Sequence, residues 1–436
     1  MGAGEKTKPS IGAAHGAGHG LGVVCGLAAG VWLGAAEAPT KLVNSGLSPY
    51  AISLCMVAGV FTARWTVPTL LKGTRSVFAD LAGNRHLIGS AILAGMLWAV
   101  ANTLTVFAIR DVGLTIAFPL WNTNSLVGIF WGRVLFGELK GAHGKNIAKV
   151  VLGAVAIAGA AVMLGFSTIH GQGPHASRAV SGILAAAGAS LLWGTMYIPY
   201  RKAYISGMNP LSFVTVFTVG ELGTVLTLAL AFDPATRASL LHFHSPESKH
   251  MLFWLFLGGF AWVIGDLFQQ FATKYLGIGR AIPLSNTNQL WGLAWGALVF
   301  GELAHSTLPQ KVLVVAGSLV MIAGALAVST AVASEREHAS TDEALERECL
   351  RYGLDYHHVL RAYGGDGPGD RGNRRTWLDY AIIAAAAGIF LYLAWNARTP
   401  ALDMNYGWVW ALGAVLLASA AVGAWGLARS GTSISQ

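Results

Sequence analysis

The sequence predicts an all-α integral membrane protein: a ten-helix inverted repeat (5+5) followed by two extra C-terminal transmembrane helices. Three observations carry this. The chain has 436 residues, of which 54% are hydrophobic and only 11% charged, where a soluble protein carries roughly 25% charged residues. Apolar runs of about 20 residues, the length that spans a bilayer, recur along the chain. Finally, sliding the sequence on itself by about 164 residues aligns His86–Leu139 with His250–Leu303, with about 21 identities in about 54 positions, the mark of an internal repeat.

Read in order, the spans fall near 20–40, 49–71, 87–109, 113–136, 147–167, 179–200, 210–232, 251–273, 277–300 and 310–333, then 377–397 and 406–428. The domains follow: a cytoplasmic tail at 1–19, the first repeat at 20–167, the second at 179–333, a cytoplasmic loop with a surface helix at 334–375, and the added helices and tail at 376–436. With the N-terminus inside, the inner segments hold Lys6 and Lys8, Arg64 to Arg85, Lys140 to Lys149, Arg201 and Lys202, Lys274 and Arg280, the 334–375 stretch and Arg429. About 21 of the 29 Lys and Arg lie there, against about 7 outside. The net charge of +8 is thus a topological bias that places both termini in the cytoplasm and the protein in the inner membrane. Nucleic acid is not the expected partner. Lys6, Lys8, the run from Leu21 and Ala36-Glu37-Ala38 imitate a cleaved leader. Gly34 and Pro39 recur at the same spacing as Gly194 and Pro199, which argues that segment one belongs to the fold.

The centre of the repeat is Phe118-Pro119-Leu120-Trp121-Asn122-Thr123-Asn124 against Ile282-Pro283-Leu284-Ser285-Asn286-Thr287-Asn288. Gly128-x-x-Trp131-Gly132 then matches Gly292-x-x-Trp295-Gly296, and Phe-Gly-Glu-Leu closes each copy. Each copy holds five spans, so the second enters the membrane inverted, the plan of secondary transporters with a central site. These features, together with Trp193-Gly194 and a Gly-Glu closing segments four and nine, resemble the drug/metabolite transporter superfamily. Gly95-x-x-Trp98 with Gly113 and Pro119, repeated around Trp262, Gly277 and Pro283, resembles its glucose/ribose porter family. The resemblance covers residues 20 to 333 and implies sugar uptake driven by a proton gradient, without a bound cofactor.

Proline at 119 and 283 removes a backbone donor and crowds the preceding turn, so segments four and nine are expected to kink or unwind there. Asn122, Asn124, Asn286 and Asn288 follow at once and are the candidate solute ligands, with helix ties as the alternative. Trp98, Trp262 and Trp291 offer flat apolar faces with one donor each, and Asn102 completes the candidate set. Asp266 and Glu221 lie at membrane depth, where a charge needs a cavity or a partner. Asp266 is the repeat partner of Asn102, so one half offers an amide where the other offers a carboxylate. Proton coupling through Asp266, with Glu221 as the second choice, is one reading; a buried hydrogen bond to Asn102 or Gln269 is the other.

Gly128–Gly132 and Gly292–Gly296 read as close-packing steps, and Arg133 as a residue that snorkels to the surface. Glu138 and Glu302 are expected to order the turns that follow them. Histidines fall in loops or at span edges, and His242-x-His244 lacks a fourth ligand, so no metal is expected. Cys25, Cys55 and Cys349 form no disulfide framework. No Gly-x-x-x-x-Gly-Lys-Ser/Thr loop is present to couple ATP. Ser340-Thr341-Asp342-Glu343 reads as the cap of a helix that rests on the anionic leaflet or simply tethers the last two helices. The expectation is a secondary transporter of a small polar, sugar-like solute, with membrane lipid around it, no cofactor, and a homodimer left open. A ureide, a nucleoside or an exported metabolite is the alternative cargo, and a membrane enzyme or sensor subunit the alternative class.

Overall fold

A computed structural model describes residues 11–36, 38–43, 47–112, 117, 120–167, 176–241, 246–301, 303–304, 306–364, 375–398 and 404–430. Lys6, Lys8, Glu37, Gly113, Pro119, His242, His244 and Glu302 lie outside them. In chain order the helices are α1 (Ile11–Ala35), α2 (Pro49–Lys72), α3 (Thr74–Gly83), α4 (Ile88–Val112), α5 (Asn124–Phe136), α6 (Gly144–Ser167), α7 (Ala176–Ile205), α8 (Pro210–Phe232) and α9 (Pro234–Leu241). They continue as α10 (Pro246–Leu276), α11 (Ile278–Ser285), α12 (Asn288–Ala294), α13 (Leu308–Ser329), α14 (Glu335–Tyr352), α15 (Tyr356–Gly364), α16 (Trp377–Asn396) and α17 (Tyr406–Ser430). Ten of these are long and apolar enough to cross a membrane. The chain is an all-α, multi-pass integral membrane protein.

Local chemistry sets the boundaries. Ser48 caps α2 by accepting from the Ala51 N–H, with Pro49 in the first turn, and Asn209 caps α8 from the Leu211 N–H, with Pro210 in the same place. Both starts use the same device: a polar acceptor for an orphan donor and a residue that has no donor to orphan. Gly73 ends α2 at φ 81° and Gly277 separates α10 from α11 at φ 82°, angles that a side chain resists. Helix α1 begins at Ile11, inside the stretch read as a tail; Gly18 seats on Tyr275, and His19 Nε2 meets the Ser329 carbonyl at 2.9 Å.

Segment nine breaks as its proline suggests. Helix α11 carries Pro283 and stops at Ser285, α12 restarts at Asn288, and a π-helical turn over Trp295–Val299 follows. The threonine hydroxyls brace the breaks: Thr287 Oγ1 donates to the Leu284 carbonyl at 2.8 Å, and Thr123 Oγ1 donates to the Leu120 carbonyl at 2.6 Å in the matching place of segment four. The interruption is a tight turn and not an extended unwound stretch, since Thr287 and Thr123 both keep right-handed angles.

Helices pack across the two halves more than within them. Helix α1 lies on α10 and α4 on α7; α2 lies on α10 and α4 on α8; α2 meets α8, and α6 meets α13. The α2/α10 and α4/α8 crossings are made by reciprocal glycines. A methyl carbon on Gly59 would lie 2.1 Å from the Phe256 carbonyl oxygen, and one on Gly259 would lie 2.0 Å from that of Met56. On Gly95 it would lie 2.0 Å from the Phe217 oxygen, and on Gly220 2.2 Å from that of Ile92. Backbone touches backbone, which only small residues allow.

The 334–375 stretch differs from expectation. Its helix starts earlier, capped by Ser334 accepting from the Glu337 N–H, and not at Ser340. It docks on the end of the bundle: Glu337, Thr341, Leu345 and Cys349, one stripe at i, i+4 spacing, are buried. Leu345 and Cys349 pack with Ile205 and Val359, so the helix is more than a plain tether. Helix α16 holds the α2/α3 joint, where Asp379 accepts from the Thr74 N–H at 2.7 Å and Arg375 donates to the Thr69 and Leu70 carbonyls. Its far face is open, with Trp395 91% exposed, as suits a helix bordered by lipid.

Candidate functional site: a buried charge cluster between the halves

Three charged side chains meet at the junction of α2, α8 and α10. Arg64 Nη1 donates to Glu221 Oε2 at 2.6 Å, and Arg64 Nη2 to Asp266 Oδ2 at 2.6 Å, with all three side chains 0% exposed. The guanidinium fork suits two carboxylates at once. Its carbon lies 4.3 Å from the Phe217 ring centre and 5.5 Å from that of Trp262, adding a cation–π seat. Gln270 Nε2 donates to Asp266 Oδ1 at 2.9 Å, and the Tyr204 hydroxyl donates to Gln270 Oε1.

Arg64 corrects the sequence reading twice. It is not a loop charge but stands inside α2, and Arg201 and Arg280, also counted as inner-loop residues, are buried in α7 and α11. Neither Asn102 nor Gln269 is the partner of Asp266: Asn102 Nδ2 donates to Ser53 Oγ at 2.8 Å, and Gln269 Nε2 to Ser285 Oγ at 2.5 Å. The signal was in the sequence, because the apolar run from Pro49 to Lys72 contains Arg64, and two carboxylates at membrane depth call for a cation.

The structure brings several predicted residues together. Trp98 and Trp262 meet edge-on at 5.0 Å. Asn286 Nδ2 donates to Asn124 Oδ1 at 2.8 Å and to Ser125 Oγ at 2.7 Å, joining the two broken segments. Asn122 is 3% exposed. Asn288 is half-buried, with Oδ1 unpaired, and its backbone rests on the flat face that Gly34 gives α1. Trp291 also packs at Gly34, on the α1 side and not with the Trp98–Trp262 pair. Gly128 and Gly132 receive Ile282 and Glu138 respectively, and Arg133 is exposed.

Glu138 does not serve the turn that follows it. It reaches 140 residues onward in sequence to the start of α11, where its two oxygens accept the Ile278 and Gly279 N–H groups at 2.8 Å each, an acidic cap on a helix N-terminus. Burial pushes its pKa above the usual carboxylate range, with Arg201 at 3.8 Å acting the other way. One turn along α11, Arg280 forms a bidentate pair with Glu337 of α14 at 2.6 and 2.9 Å. Sequence spacing carries no signal for either contact. A further cavity of about 280 Å³ opens between α3, the start of α8 and α15, lined by Asp80, Asn84, Asn209, Ser212, Asp355 and His358 among others.

Residues 184–354 match the profile of a family described as "Sugar transport protein". A Bacillus cereus protein named "Putative sugar uptake protein" is 33% identical over 84 residues, 19% of this chain and 29% of its own length. A Bacillus anthracis protein of the same description gives the same figures. "Transmembrane protein 144 homolog B" of Dictyostelium discoideum is 25% identical over 145 residues, 32% of this chain and 38% of its own length. The chain therefore spans less than a third of the Bacillus relatives it matches. These likenesses support a sugar-transport-like family, with which the drug/metabolite transporter superfamily is compatible.

Proposed function

We propose that the chain is a secondary transporter of a small polar solute, a sugar by its likenesses, working by alternating access between two inverted five-helix halves and driven by a proton gradient. It is a carrier and not an enzyme. The observation that carries this reading is that its buried polar groups sit where the halves meet. Asn124 bonds Asn286 across the broken segments, and Arg64 of the first half holds Glu221 and Asp266 of the second. The first is a junction of interrupted helices, of the kind where carriers seat solute and coupling ion; the second lies between continuous helices of the two halves. The helix pairing supports the two halves, since each contact named above has a counterpart when first-half and second-half helices are exchanged. The Lys/Arg bias supports cytoplasmic termini in the inner membrane: without the three buried arginines about 18 inner charges still face about 7 outer ones.

In this reading the asparagines and the Trp98–Trp262 pair contact solute, and Asp266 with Glu221 answers the proton. The test is counterflow of labelled D-glucose and D-ribose in proteoliposomes. Asn124→Ala and Asn288→Ala are each expected to abolish counterflow while eluting and melting as folded protein. Full exchange by both variants would reduce these asparagines to ties between helices, and absence of exchange by the wild type with sugars, ureides and nucleosides alike would sink the transporter reading.

A further inference from the structure

We infer that the buried charge cluster is a one-proton site and that the proton sits on Glu221 at Oε1, while Asp266 stays ionised against Arg64; its use in coupling rests on the transporter reading above. The first ground is charge. Two carboxylates share one guanidinium, all fully buried, and among the described residues Arg64 is the cation in ion-pair contact with either acid. The cluster is one positive charge short. A buried uncompensated charge is costly and is met by a counter-ion or by neutralisation, and a proton is the smallest cation that a closed cluster admits.

The second ground is hydrogen bonding, which separates the two acids. Both oxygens of Asp266 are engaged, Oδ2 by Arg64 and Oδ1 by Gln270 Nε2. The Gln270 amide is oriented by Tyr204, whose hydroxyl donates to its Oε1. A proton on Asp266 Oδ1 would point at an N–H, donor against donor. Glu221 is different: Oε2 takes Arg64, whereas Oε1 is buried without a hydrogen bond of good geometry. Thr218 Oγ1, three residues earlier on the same helix, is likewise unsatisfied. Positions i and i+3 share a helix face, and a hydroxyl both donates and accepts, so Thr218 can accept from a carboxylic acid at Glu221 Oε1 or donate to the carboxylate; unlike Asp266 Oδ1, Oε1 faces no obligate donor and has room for the proton.

The groups that face the pair leave this assignment standing. From α2 comes Arg64; from α7 come the phenols Tyr197, Tyr200 and Tyr204; from α10 come Asp266 and Gln270; α4 contributes the Trp98 ring packed on Trp262. The step itself is simple. A hydronium ion gives its proton to Oε1, one O–H bond breaking as another forms and water leaving; the cluster becomes neutral, and release of the proton to water on the opposite side restores the single negative charge. Asp266 creates the deficit; Glu221 meets it.

The test reads the proton directly. Purified wild-type protein in nanodiscs is titrated while the carboxylic C=O stretch is followed by infrared difference spectroscopy, after uniform labelling with carboxyl-¹³C glutamate or carboxyl-¹³C aspartate. The band that grows as pH falls is expected to shift with the glutamate label, to ignore the aspartate label, and to vanish in Glu221→Gln. In proteoliposomes Glu221→Gln is expected to lose accumulation of D-glucose or D-ribose under an inward proton gradient, which falls to simple equilibration. A band that follows the aspartate label, or that persists in Glu221→Gln, overturns the assignment, and the labelled wild type decides even where the variant does not fold. If the band behaves as stated but no solute moves through wild type, the proton site stands and the transporter reading falls.

Discussion

Trp98 and Trp262 stand 164 residues apart and meet at 5.0 Å, each three residues after a glycine through which its helix crosses the other half. Asn102 and Asp266 are separated by the same interval, yet Asn102 bonds a serine while Asp266 bonds an arginine and a glutamine. Thr123 and Thr287 brace equivalent turns in the same way. The shared residues of these pairs pack and brace; at 102/266, where the halves differ, a carboxylate stands in for an amide and draws in Arg64. The matched positions build a scaffold common to both halves, and the unmatched one breaks its symmetry.

The largest expected effect breaks the charged side of this comparison. Arg64→Gln leaves the buried Asp266 carboxylate and the Glu221 carboxyl without a cation and is expected to cost about 3–5 kcal/mol, whereas Asp266→Asn leaves a matched Arg64–Glu221 pair and is expected to cost under about 1 kcal/mol. Melting of the purified variants in one detergent compares them, and equal losses would show that the cluster is not short of positive charge. The next breaks the matched side. Gly95→Val and Gly259→Val drive a methyl group into a carbonyl oxygen of the facing helix and are each expected to cost about 1–3 kcal/mol or more. Gly223, whose added methyl would meet nothing within 4 Å, is the control, and Gly223→Ala is expected to be neutral or mildly stabilising. If Gly95→Val melted with the control, the crossing would not be as close as described.

The smallest effect concerns the rim. Burial alone would raise the Asp233 pKa, but hydrogen bonds from Ser48, from the Thr236 hydroxyl and from the Thr236 and Ala235 N–H groups outweigh it and hold the carboxyl below its ordinary value. A depressed carboxyl stabilises the fold above its unfolded pKa of about 3.9, and the contribution is lost as pH falls through the lower folded value. Asp233→Asn is expected to cost about 1 kcal/mol at neutral pH, the value of a helix cap, and to flatten the acid limb of a melting-temperature profile. An unchanged acid limb would assign that loss to other carboxylates.

Much of the scaffold was legible because it is local. The span read at 210–232 is α8 to the residue, and the break in segment nine falls just past Pro283. The cap lies at Ser334 and not at Ser340 because Ser334, with Glu337 three residues on, offers the same signature six residues earlier. The candidate site was legible in its parts and not in its pairings. Asp266, Glu221, Trp98, Trp262 and the asparagines were all marked. Arg64 reads as a loop charge when charge is weighed by sign and not by depth, and the reach of Glu138 to α11 leaves no trace in spacing, since it joins residues 140 apart. Contacts between halves are fixed by how helices cross, which no window of neighbouring residues contains.

Those crossings have a mechanical side. At α2/α10 and α4/α8 a glycine on each helix faces a carbonyl of the other, so the nearest approach is bare backbone, with side chains such as Val60, Ala63, Val263 and Leu267 packed beside it. A seam of interlocked side chains resists turning along its whole length, because every knob must leave its hole. A point of bare backbone resists separation and overpacking but offers little leverage against rotation, like the rivet of a pair of shears. Arg64, Glu221 and Asp266 are carried by three of the four helices so joined.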